Sequence, residues 1–338
     1  MKTALICGVS GQDGSLLAKF LLERHYRVVG TSRDAQVVSL ENLNRLKIGG
    51  KIALESMNLM DFRSTLQALN RTEPDEIYNL TGPSSAGLSF QQPVETMDSI
   101  ALGTISLLEA VRFVGRKIRI YNASSSECFG DLGYATANED TPFRPRSPYG
   151  VAKATSHWLV TNYREAYGLF ACNGILFNHE SPLRPERFVT KKIVAAASRI
   201  AQGSDEKLTL GSLEVRRDWG WAPEYLDAMW RMLQRDEPED FVIATGESHT
   251  TEEFVQLAFQ RSGLDWRQHV MLDAALHRPL EIMANKGDAA KARRHLGWEA
   301  GCRVADVVRL MADDVFDATP ESVVHPLDRA ILKIAQST

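Results

Sequence analysis

Two side chains that could move a proton lie four residues apart in the stretch SPYGVAK at residues 147–153. On an α-helix this spacing places Tyr149 and Lys153 on one face, and Pro148 suits a first helical turn, where its missing N–H is not needed. A phenol beside an ammonium can serve as a proton-transfer pair. An amphipathic helix with an exposed Tyr and an exposed Lys has the same pattern, so the motif becomes informative only together with other parts of the chain.

A glycine-rich turn near the N-terminus has the residues needed to bind phosphate. The stretch GVSGQDG carries Gly8, Gly11 and Gly14 between a strand-like run, TALIC, and a helical pattern, SLLAKFLLERH. Glycines at these positions allow a tight turn and a close approach of backbone to a pyrophosphate, and the helix N-terminus offers free N–H groups to the anion. We predict a dinucleotide-binding turn here; a purely structural turn is the alternative.

The end of the second predicted strand bears on the type of dinucleotide. An acidic residue at this position would bind the free 2'-hydroxyl of NAD, but the sequence GTSRDA has Arg33 there, and a guanidinium suits a 2'-phosphate. The adjacent Asp34 can pair with Arg33 or accept a hydrogen bond from a ribose hydroxyl. We predict NADP as the cofactor, with NAD as the alternative.

The elements that must position these residues alternate regularly in the first half of the chain. Short apolar or β-branched runs are separated by longer helical patterns, which predicts βαβ units and an α/β fold with a doubly wound parallel sheet of the Rossmann type. The predicted strands are TALICG, YRVVGTS, KIALESM, EIYNL, IRIYNAS and FACNGILFN, and the predicted helices cover about residues 61–72, 96–114 and 148–167.

The pattern becomes less regular from about residue 180. We expect helices near 188–203 and 223–235, a short strand in FVIATG, and a capping box formed by Thr250 and Glu253. We predict three parts: a dinucleotide-binding domain mainly over residues 1–179, a smaller mixed α/β substrate domain mainly over 180–316 and interleaved with the first, and a C-terminal tail over 317–338.

A polar run follows the fifth predicted strand, in YNASSSECFG. Ligands of open α/β sheets bind outside the carboxyl ends of the strands. We therefore expect Ser124, Ser125, Ser126 and Glu127 to face the cofactor crevice.

Composition excludes several classes of protein. The 338 residues contain 39 Lys and Arg against 43 Asp and Glu, so there is no basic excess to attract nucleic acid. The four cysteines are scattered without the spacing of a zinc site or a disulfide framework, so we predict no metal. No leading apolar run resembles a signal peptide and none approaches a membrane-spanning length. We expect a cytoplasmic protein with no nucleic-acid or membrane partner.

Taken together, GxxGxxG and YxxxK resemble the extended short-chain dehydrogenase/reductase family. Within it, the chain is similar to the GDP-mannose 4,6-dehydratases over roughly residues 1–315. The blocks that carry this resemblance are GVSGQDGSLLAKFLL, NASSSECFG, TPFRPRSPYGVAK, VTNYREAYGLFACNGILFNHESPLR, FVTKKI, RRDWG, YLDAMWRMLQ and HRPLEI.

The resemblance implies a reaction and a role for four catalytic residues. Tyr149, as phenolate, would take the proton from the sugar O4 while C4 passes hydride to NADP+, and Lys153 would lower the pKa of the phenol and hold the nicotinamide ribose. Ser125 would orient O4. Glu127 would remove the C5 proton and assist loss of the C6 hydroxyl as water, after which hydride returns to C6. GDP-mannose would thus become GDP-4-keto-6-deoxymannose.

The same resemblance implies binding residues along the cleft. Those expected at the cofactor are Gly8, Ser10, Gly11, Gln12, Asp13, Gly14, Arg33, Asn58, Leu59, Leu80, Ser84, Lys153, His179 and Arg184. Those expected at the GDP-sugar substrate are Ser85, Asn178, Lys192, Arg217, Arg278 and Glu281. The resemblance also implies a homo-oligomer, either a dimer or a tetramer.

Some positions depart from the pattern of that family. Ser125 replaces the usual Thr, SRDAQVVS lacks the usual paired arginines of a loop that reaches a neighbouring subunit, TGPSSAGL replaces the usual segment near the sugar, and Glu95 replaces a Tyr at the cofactor. The segment TGPSSAGL leaves open the same dehydration on a GDP-heptose or another GDP-hexose. A GDP-4-keto-6-deoxyhexose reductase is opposed by Glu127, and a non-catalytic dinucleotide sensor is opposed by the presence of Tyr149 and Lys153.

Overall fold

A computed structural model describes residues 1–316, 331 and 334 of the chain, so the predicted tail over 317–338 lies outside the described residues except at 331 and 334. The strands are β1 (Thr3–Cys7), β2 (Arg27–Ser32), β3 (Ala53–Ser56), β4 (Glu76–Asn79), β5 (Arg119–Ser125), β6 (Ala171–Leu176), β7 (Asn178–Glu180), β8 (Leu208–Leu210), β9 (Arg216–Arg217), β10 (Trp219–Trp221), β11 (Phe241–Ile243), β12 (His249–Thr250) and β13 (Val270–Leu272).

Helices cover both faces of the sheet. They are α1 (Gln12–Glu23), α2 (Glu41–Arg45), α3 (Phe62–Thr72), α4 (Ala86–Ser89), α5 (Pro93–Met97), α6 (Gly103–Val114), α7 (Pro148–Tyr167), α8 (Val189–Ala201), α9 (Ala222–Gln234), α10 (Thr251–Arg261), α11 (Ala290–Leu296) and α12 (Val304–Phe316). A π-helical segment, Asp98–Leu102, joins α5 to α6. None of the helices in the described part of the chain is long and apolar enough to cross a membrane.

Seven parallel strands form the central sheet in the order β11-β6-β5-β4-β1-β2-β3. Successive residues of β1 pack on opposite faces: Ala4 and Ile6 join one apolar cluster, and Leu5 and Cys7 join another. The first cluster includes α1 and α9, and the second includes α3, α6 and α7. This is the predicted doubly wound α/β fold.

The structure confirms the six strands and the helices predicted in the first half of the chain, as well as the capping box between Thr250 and Glu253. The predicted strand in FVIATG is β11, and it pairs with β6 in the central sheet. The chain therefore returns to the first sheet after residue 180. The division into domains at residue 179 stays a prediction.

Helix α7 begins as its sequence predicts. The Ser147 hydroxyl accepts a hydrogen bond from the backbone N–H of Gly150, at 3.0 Å, and Pro148 occupies the first turn. Gly168 ends the helix in the left-handed conformation, with φ of +67°. Both Tyr149 and Lys153 are on the buried side of this helix. The exposed-helix interpretation of YxxxK is thus wrong.

Three asparagines connect the strands beneath α7. Asn79, Asn122 and Asn173 are neighbours in register on β4, β5 and β6. The Asn79 amide donates to the Asn122 side chain at 3.0 Å, and the Asn122 amide donates to the Asn173 side chain at 2.9 Å. Asn122 also donates to the Ser156 hydroxyl on α7, at 3.1 Å. The buried amides therefore fix the helix to the sheet.

We predict that Asn122→Leu lowers the free energy of unfolding by about 3 kcal/mol. The change removes one partner from several buried hydrogen bonds, and each buried group left unsatisfied costs roughly 1–3 kcal/mol. Urea unfolding followed by fluorescence measures the difference. The same substitution at Asn70, which is exposed on α3, should change stability by less than about 0.5 kcal/mol. Equal effects at the two positions would contradict the role given to the asparagines.

Candidate active site

A cleft of about 820 Å³ opens at the carboxyl ends of the central strands. Residues that follow β1, β4, β5 and β6 line one side of it, and residues of the chain beyond 180 line the other. This position is where ligands of open α/β sheets bind. Its volume lies within the range of sites for small molecules and cofactors.

The glycine turn forms one wall of the cleft with its backbone. Gly8 has φ of +87°, and a Cβ on Gly14 would lie 2.3 Å from the Gly8 carbonyl oxygen, so neither position accommodates a larger residue without strain. Gly11 precedes α1 and provides no side-chain cap. The first N–H groups of α1 are therefore left for an anion, and the turn fits the diphosphate of a dinucleotide.

Side chains of the same turn bind the segment that follows β6. Gln12 donates to the backbone carbonyl of His179 at 3.2 Å and accepts from the Ser181 hydroxyl at 2.8 Å. His179 Nε2 lies 2.8 Å from a carboxylate oxygen of Asp13, and its Nδ1 lies 2.7 Å from the carbonyl oxygen of Phe177. The glycine turn, with the start of α1, and the segment around β7 are thus joined at several points.

Asp13 and His179 form a buried ion pair. A carbonyl and a carboxylate can only accept hydrogen bonds, so both ring nitrogens of His179 carry protons. Burial alone would raise the pKa of Asp13, but the charge of His179 and its hydrogen bond, with Gln12 and Arg184, lower it to about 2. Burial alone would lower the pKa of His179, but Asp13 raises it above its ordinary value.

Tyr149 and Lys153 meet the end of β5 inside the cleft. Both are buried, at 8% and 7% exposed. Burial raises the pKa of Tyr149 well above its usual range, while a hydrogen bond to the Ser125 hydroxyl opposes this rise. The Lys153 ammonium donates to the backbone carbonyl of Ala123 at 2.7 Å, and burial lowers its pKa to about 8. The ammonium lies 5.8 Å from the centroid of the Tyr149 ring, and the expectation that Lys153 lowers the pKa of the phenol stays a prediction.

Two carboxylates and two guanidiniums line the cleft together with Tyr149 and Ser125. Glu127 follows Ser125 in a short 3₁₀ turn, and its backbone N–H donates to the Ser125 hydroxyl at 3.2 Å. Arg278 lies 3.8 Å from Glu127 and 3.4 Å from Glu281, and Arg217 lies 3.0 Å from Glu281. The wall beyond Tyr149 therefore carries charges of both signs.

The cleft brings together most of the residues predicted from sequence. Those that line it are Gly8, Gly11, Gln12, Asp13, Gly14, Leu80, Ser84, Ser85, Ser125, Glu127, Tyr149, Lys153, Asn178, His179, Arg184, Lys192, Arg217, Arg278 and Glu281. The Lys192 ammonium donates to the Thr209 carbonyl at 2.7 Å. The Arg184 side chain lies 3.2 Å from Glu180 and over the ring of Phe188.

Four predicted cofactor residues do not line the cleft. Ser10 accepts a hydrogen bond from Asn42 through its backbone carbonyl, and Arg33 is exposed and lies 3.6 Å from Glu95. Asn58 caps the turn before α3, and Leu59 is buried in the apolar layer beneath α6. Their roles stay predictions.

Sequence patterns do not reveal some of the residues that shape the site. Ser181 and Phe177 hold Gln12 and His179, and the Ala123 carbonyl holds Lys153. A backbone carbonyl leaves no signal in a sequence. Ser181 stands two residues after His179 in NHESP, and its proximity to a predicted site residue is the signal by which it could have been found from the sequence.

Comparisons with known proteins agree with this geometry. The family model described as GDP-mannose 4,6 dehydratase matches residues 5–311. GDP-mannose 4,6 dehydratase 1 from Arabidopsis thaliana is 46% identical over 323 residues, which cover 93% of this chain and 89% of the plant protein. GDP-mannose 4,6 dehydratase from Homo sapiens is 42% identical over 333 residues, which cover 91% of this chain and 90% of the human protein.

Solved structures share the fold. A UDP-glucose 4-epimerase from Thermus thermophilus, in complex with NAD, has a TM-score of 0.83 at 24% identity and covers 94% of this chain and 100% of the epimerase chain. The protein RMD from Pseudomonas aeruginosa, complexed with NADPH, has a TM-score of 0.78 at 20% identity, with coverage of 94% and 100%.

We predict that Asp13→Asn destabilises the protein in a pH-dependent way. The raised pKa of His179 contributes stability that is complete below its ordinary value of 6.5 and is lost as the pH rises through the raised value. The lowered pKa of Asp13 contributes stability that is present above 3.8 and is lost as the pH falls through about 2. The stability difference from wild type should therefore be larger at about pH 6 than at about pH 9.

Urea unfolding of both proteins at the two pH values tests this expectation. Asp205→Asn, at an exposed position, is the matched control and should show no such dependence. A difference that stays constant or grows towards alkaline pH would show that the two side chains do not form a charged pair.

Proposed function

The chain belongs to the GDP-mannose 4,6-dehydratase family and removes water from GDP-mannose, and we propose that Ser125, Glu127, Tyr149 and Lys153 carry out this reaction with NADP as the cofactor. The observation that supports these assignments is the convergence of the four side chains on one wall of the cleft, beside the glycine turn. Hydroxyl, carboxylate, phenol and ammonium are the groups that oxidation at C4 and elimination across C5 and C6 require.

The glycine turn and α1 fit the cofactor, since they offer backbone N–H groups and no side chain to a diphosphate. When bound, NADP accepts hydride from C4 of the sugar and supplies hydride to C6. The chain's own residues orient the sugar and move protons. Ser125 and Tyr149 bind O4, and Tyr149 takes its proton as the C4 carbonyl forms.

Glu127 handles the second part of the reaction. A ketone at C4 acidifies the C5 proton, and Glu127 removes it and then donates it to the departing C6 hydroxyl, which leaves as water. When hydride returns to C6, C5 gains a proton, which balances the proton that Tyr149 took from O4. Because burial raises the pKa of Tyr149 in the free protein, the phenol is protonated there, and its deprotonation belongs to the liganded state. The Lys153 ammonium donates to the Ala123 carbonyl and would hold the nicotinamide ribose with its remaining donors.

The choice of NADP rests on Arg33. Its guanidinium is 81% exposed at the end of β2, and its ionic partner Glu95 is also largely exposed. An exposed pair of this kind contributes at most about 1 kcal/mol, so a 2'-phosphate can displace Glu95. The neighbouring Asp34 is occupied by the backbone N–H of Gln36, at 2.9 Å.

We also propose a homo-oligomer, a dimer or a tetramer. The adjacent helices α6 and α7 and the π-helical segment before α6 expose several large apolar side chains, namely Leu102, Phe113, Val151, Trp158 and Tyr167. Exposed apolar surface of this extent favours association with a second copy. We likewise propose a dinucleotide-binding domain mainly over residues 1–179, a substrate domain mainly over 180–316 and interleaved with the first, and a cytoplasmic location.

Mass spectrometry of the purified protein with GDP-mannose tests the function directly. Loss of one water without net formation of NADPH is the expected result. We predict that Glu127→Gln oxidises C4 but releases no water, so that reduced nicotinamide accumulates on the protein and is visible by its absorbance. Tyr149→Phe should abolish both steps, because no group then accepts the O4 proton.

Tyr134→Phe is the matched control for Tyr149→Phe, since Tyr134 is 95% exposed, and it should keep full activity. Normal water loss by Glu127→Gln would remove Glu127 from the elimination step. Turnover by Tyr149→Phe would remove Tyr149 from the oxidation.

We predict that Arg33→Gln weakens binding of NADP about tenfold and leaves binding of NAD unchanged, because a charge-assisted hydrogen bond contributes roughly 1.5–3 kcal/mol. Isothermal titration calorimetry with each dinucleotide measures both affinities. Arg267→Gln, at a distant exposed position, should change neither. Equal weakening of both dinucleotides would show that Arg33 does not read the 2'-phosphate.

A further inference from the structure

Four charged side chains form a compact group on the cleft wall, which we call the charge cluster: Glu127, Arg217, Arg278 and Glu281. Two carboxylates and two guanidiniums give it a formal charge of zero. Each guanidinium lies near a carboxylate, at 3.0 Å for Arg217 and Glu281 and at 3.4 and 3.8 Å for Arg278 with Glu281 and Glu127. The formal charges of the cluster therefore cancel in the absence of a ligand.

The two arginines are held very differently. Arg217 is 6% exposed, and it donates to the backbone carbonyls of Ile282 and Arg216 at 2.7 and 2.9 Å. Arg278 has a side chain that is 36% exposed, and both of its contacts to carboxylates are long. Arg217 is thus fixed in place, whereas Arg278 can exchange one partner for another at small cost.

Glu127 is the partner of Arg278 that matters for the reaction. In the free protein the carboxylate that should remove the C5 proton lies 3.8 Å from this partly exposed guanidinium. A diphosphate entering the same cleft brings at least two negative charges to a cluster that has no surplus positive charge. Phosphate oxygens are strong acceptors for a guanidinium, and Arg278 is the less firmly held of the two arginines in the cluster.

We propose that Arg278 is shared between Glu127 and the diphosphate of the sugar nucleotide, so that binding of the substrate draws Arg278 away from Glu127 and frees the carboxylate to act as a base. This inference rests on the proposed roles of Glu127 and of the cleft. A Glu127 oxygen that contacts Arg278 is not available to the C5 proton, so release of Glu127 favours proton removal from C5.

The proposal requires that Glu127 and the diphosphate compete for Arg278, and competition of this kind is reciprocal in binding free energy. Removing the charge of Glu127 should therefore tighten binding of GDP, which contains the diphosphate but no sugar. We expect Glu127→Gln to bind GDP about fivefold more tightly than wild type, which corresponds to about 1 kcal/mol. In the Arg278→Gln background, the same change should alter the affinity less than about twofold.

Calorimetric titration of GDP into the full-length wild type, the two single variants and the double variant completes this cycle. Glu214→Gln is the matched control: Glu214 lines the same cleft, and none of the ion pairs seen among the described residues involves it together with Arg278. Glu214→Gln should change the affinity for GDP by the same factor in the wild-type background and in the Arg278→Gln background. Glu127→Ala replaces Glu127→Gln if that variant does not fold.

Tightening by Glu127→Gln that depends on Arg278 supports the proposal. Equal tightening in both backgrounds would reduce the effect to a general loss of negative charge, and no tightening would exclude competition; either result overturns the inference. The proposed function has a separate test, since failure of the wild type to remove water from GDP-mannose would contradict the function whatever the GDP titrations show.

Discussion

The attachment of helix α7 to strand β5 through buried polar groups is the interaction on which the active site depends. Three consecutive residues of the strand each hold a residue of the helix: Asn122 holds Ser156, the Ala123 carbonyl holds Lys153 and the Ser124 hydroxyl holds His157. Buried polar groups must find partners, so this arrangement admits one register of helix on strand. Tyr149, one turn before Lys153, is thereby placed beside Ser125 at the strand end.

The second half of the site is joined to this frame through the phosphate-binding turn. Asp13 and Gln12 reach across to His179 and Ser181, so the backbone that receives the cofactor and the backbone that leads to the substrate side share one set of hydrogen bonds. The charge cluster joins Glu127, which follows β5, to residues of the chain beyond 180, and its formal charges sum to zero. The two sides of the cleft are thus linked by hydrogen bonds at one place and by ion pairs at another.

The features of the fold and the site that could be predicted from the sequence are those recorded by a short, local pattern of residues. The spacing of Tyr149 and Lys153, the three glycines of the turn and the apolar periodicity of β1 to β6 each identify an element within a few residues. The pairing of Asp13 with His179 spans 166 positions, and no local pattern records it. The direction of the Lys153 ammonium depends on a backbone carbonyl that any residue would provide. The packing of the folded chain therefore determines these contacts, which the residue types alone do not specify.

Strand β11 has a consequence for how the chain can be divided. It covers the outer edge of β6 with residues Phe241–Ile243, which arrive far along the sequence from the strand they protect. A fragment that ended near residue 179 would present β6, which is buried along its whole length in the intact chain, as an open edge with unpaired backbone groups. Such edges recruit strands from other molecules and aggregate. Division of the chain at the boundary between the cofactor and substrate segments would therefore expose this edge, whereas a chain that extends past β11 keeps it covered.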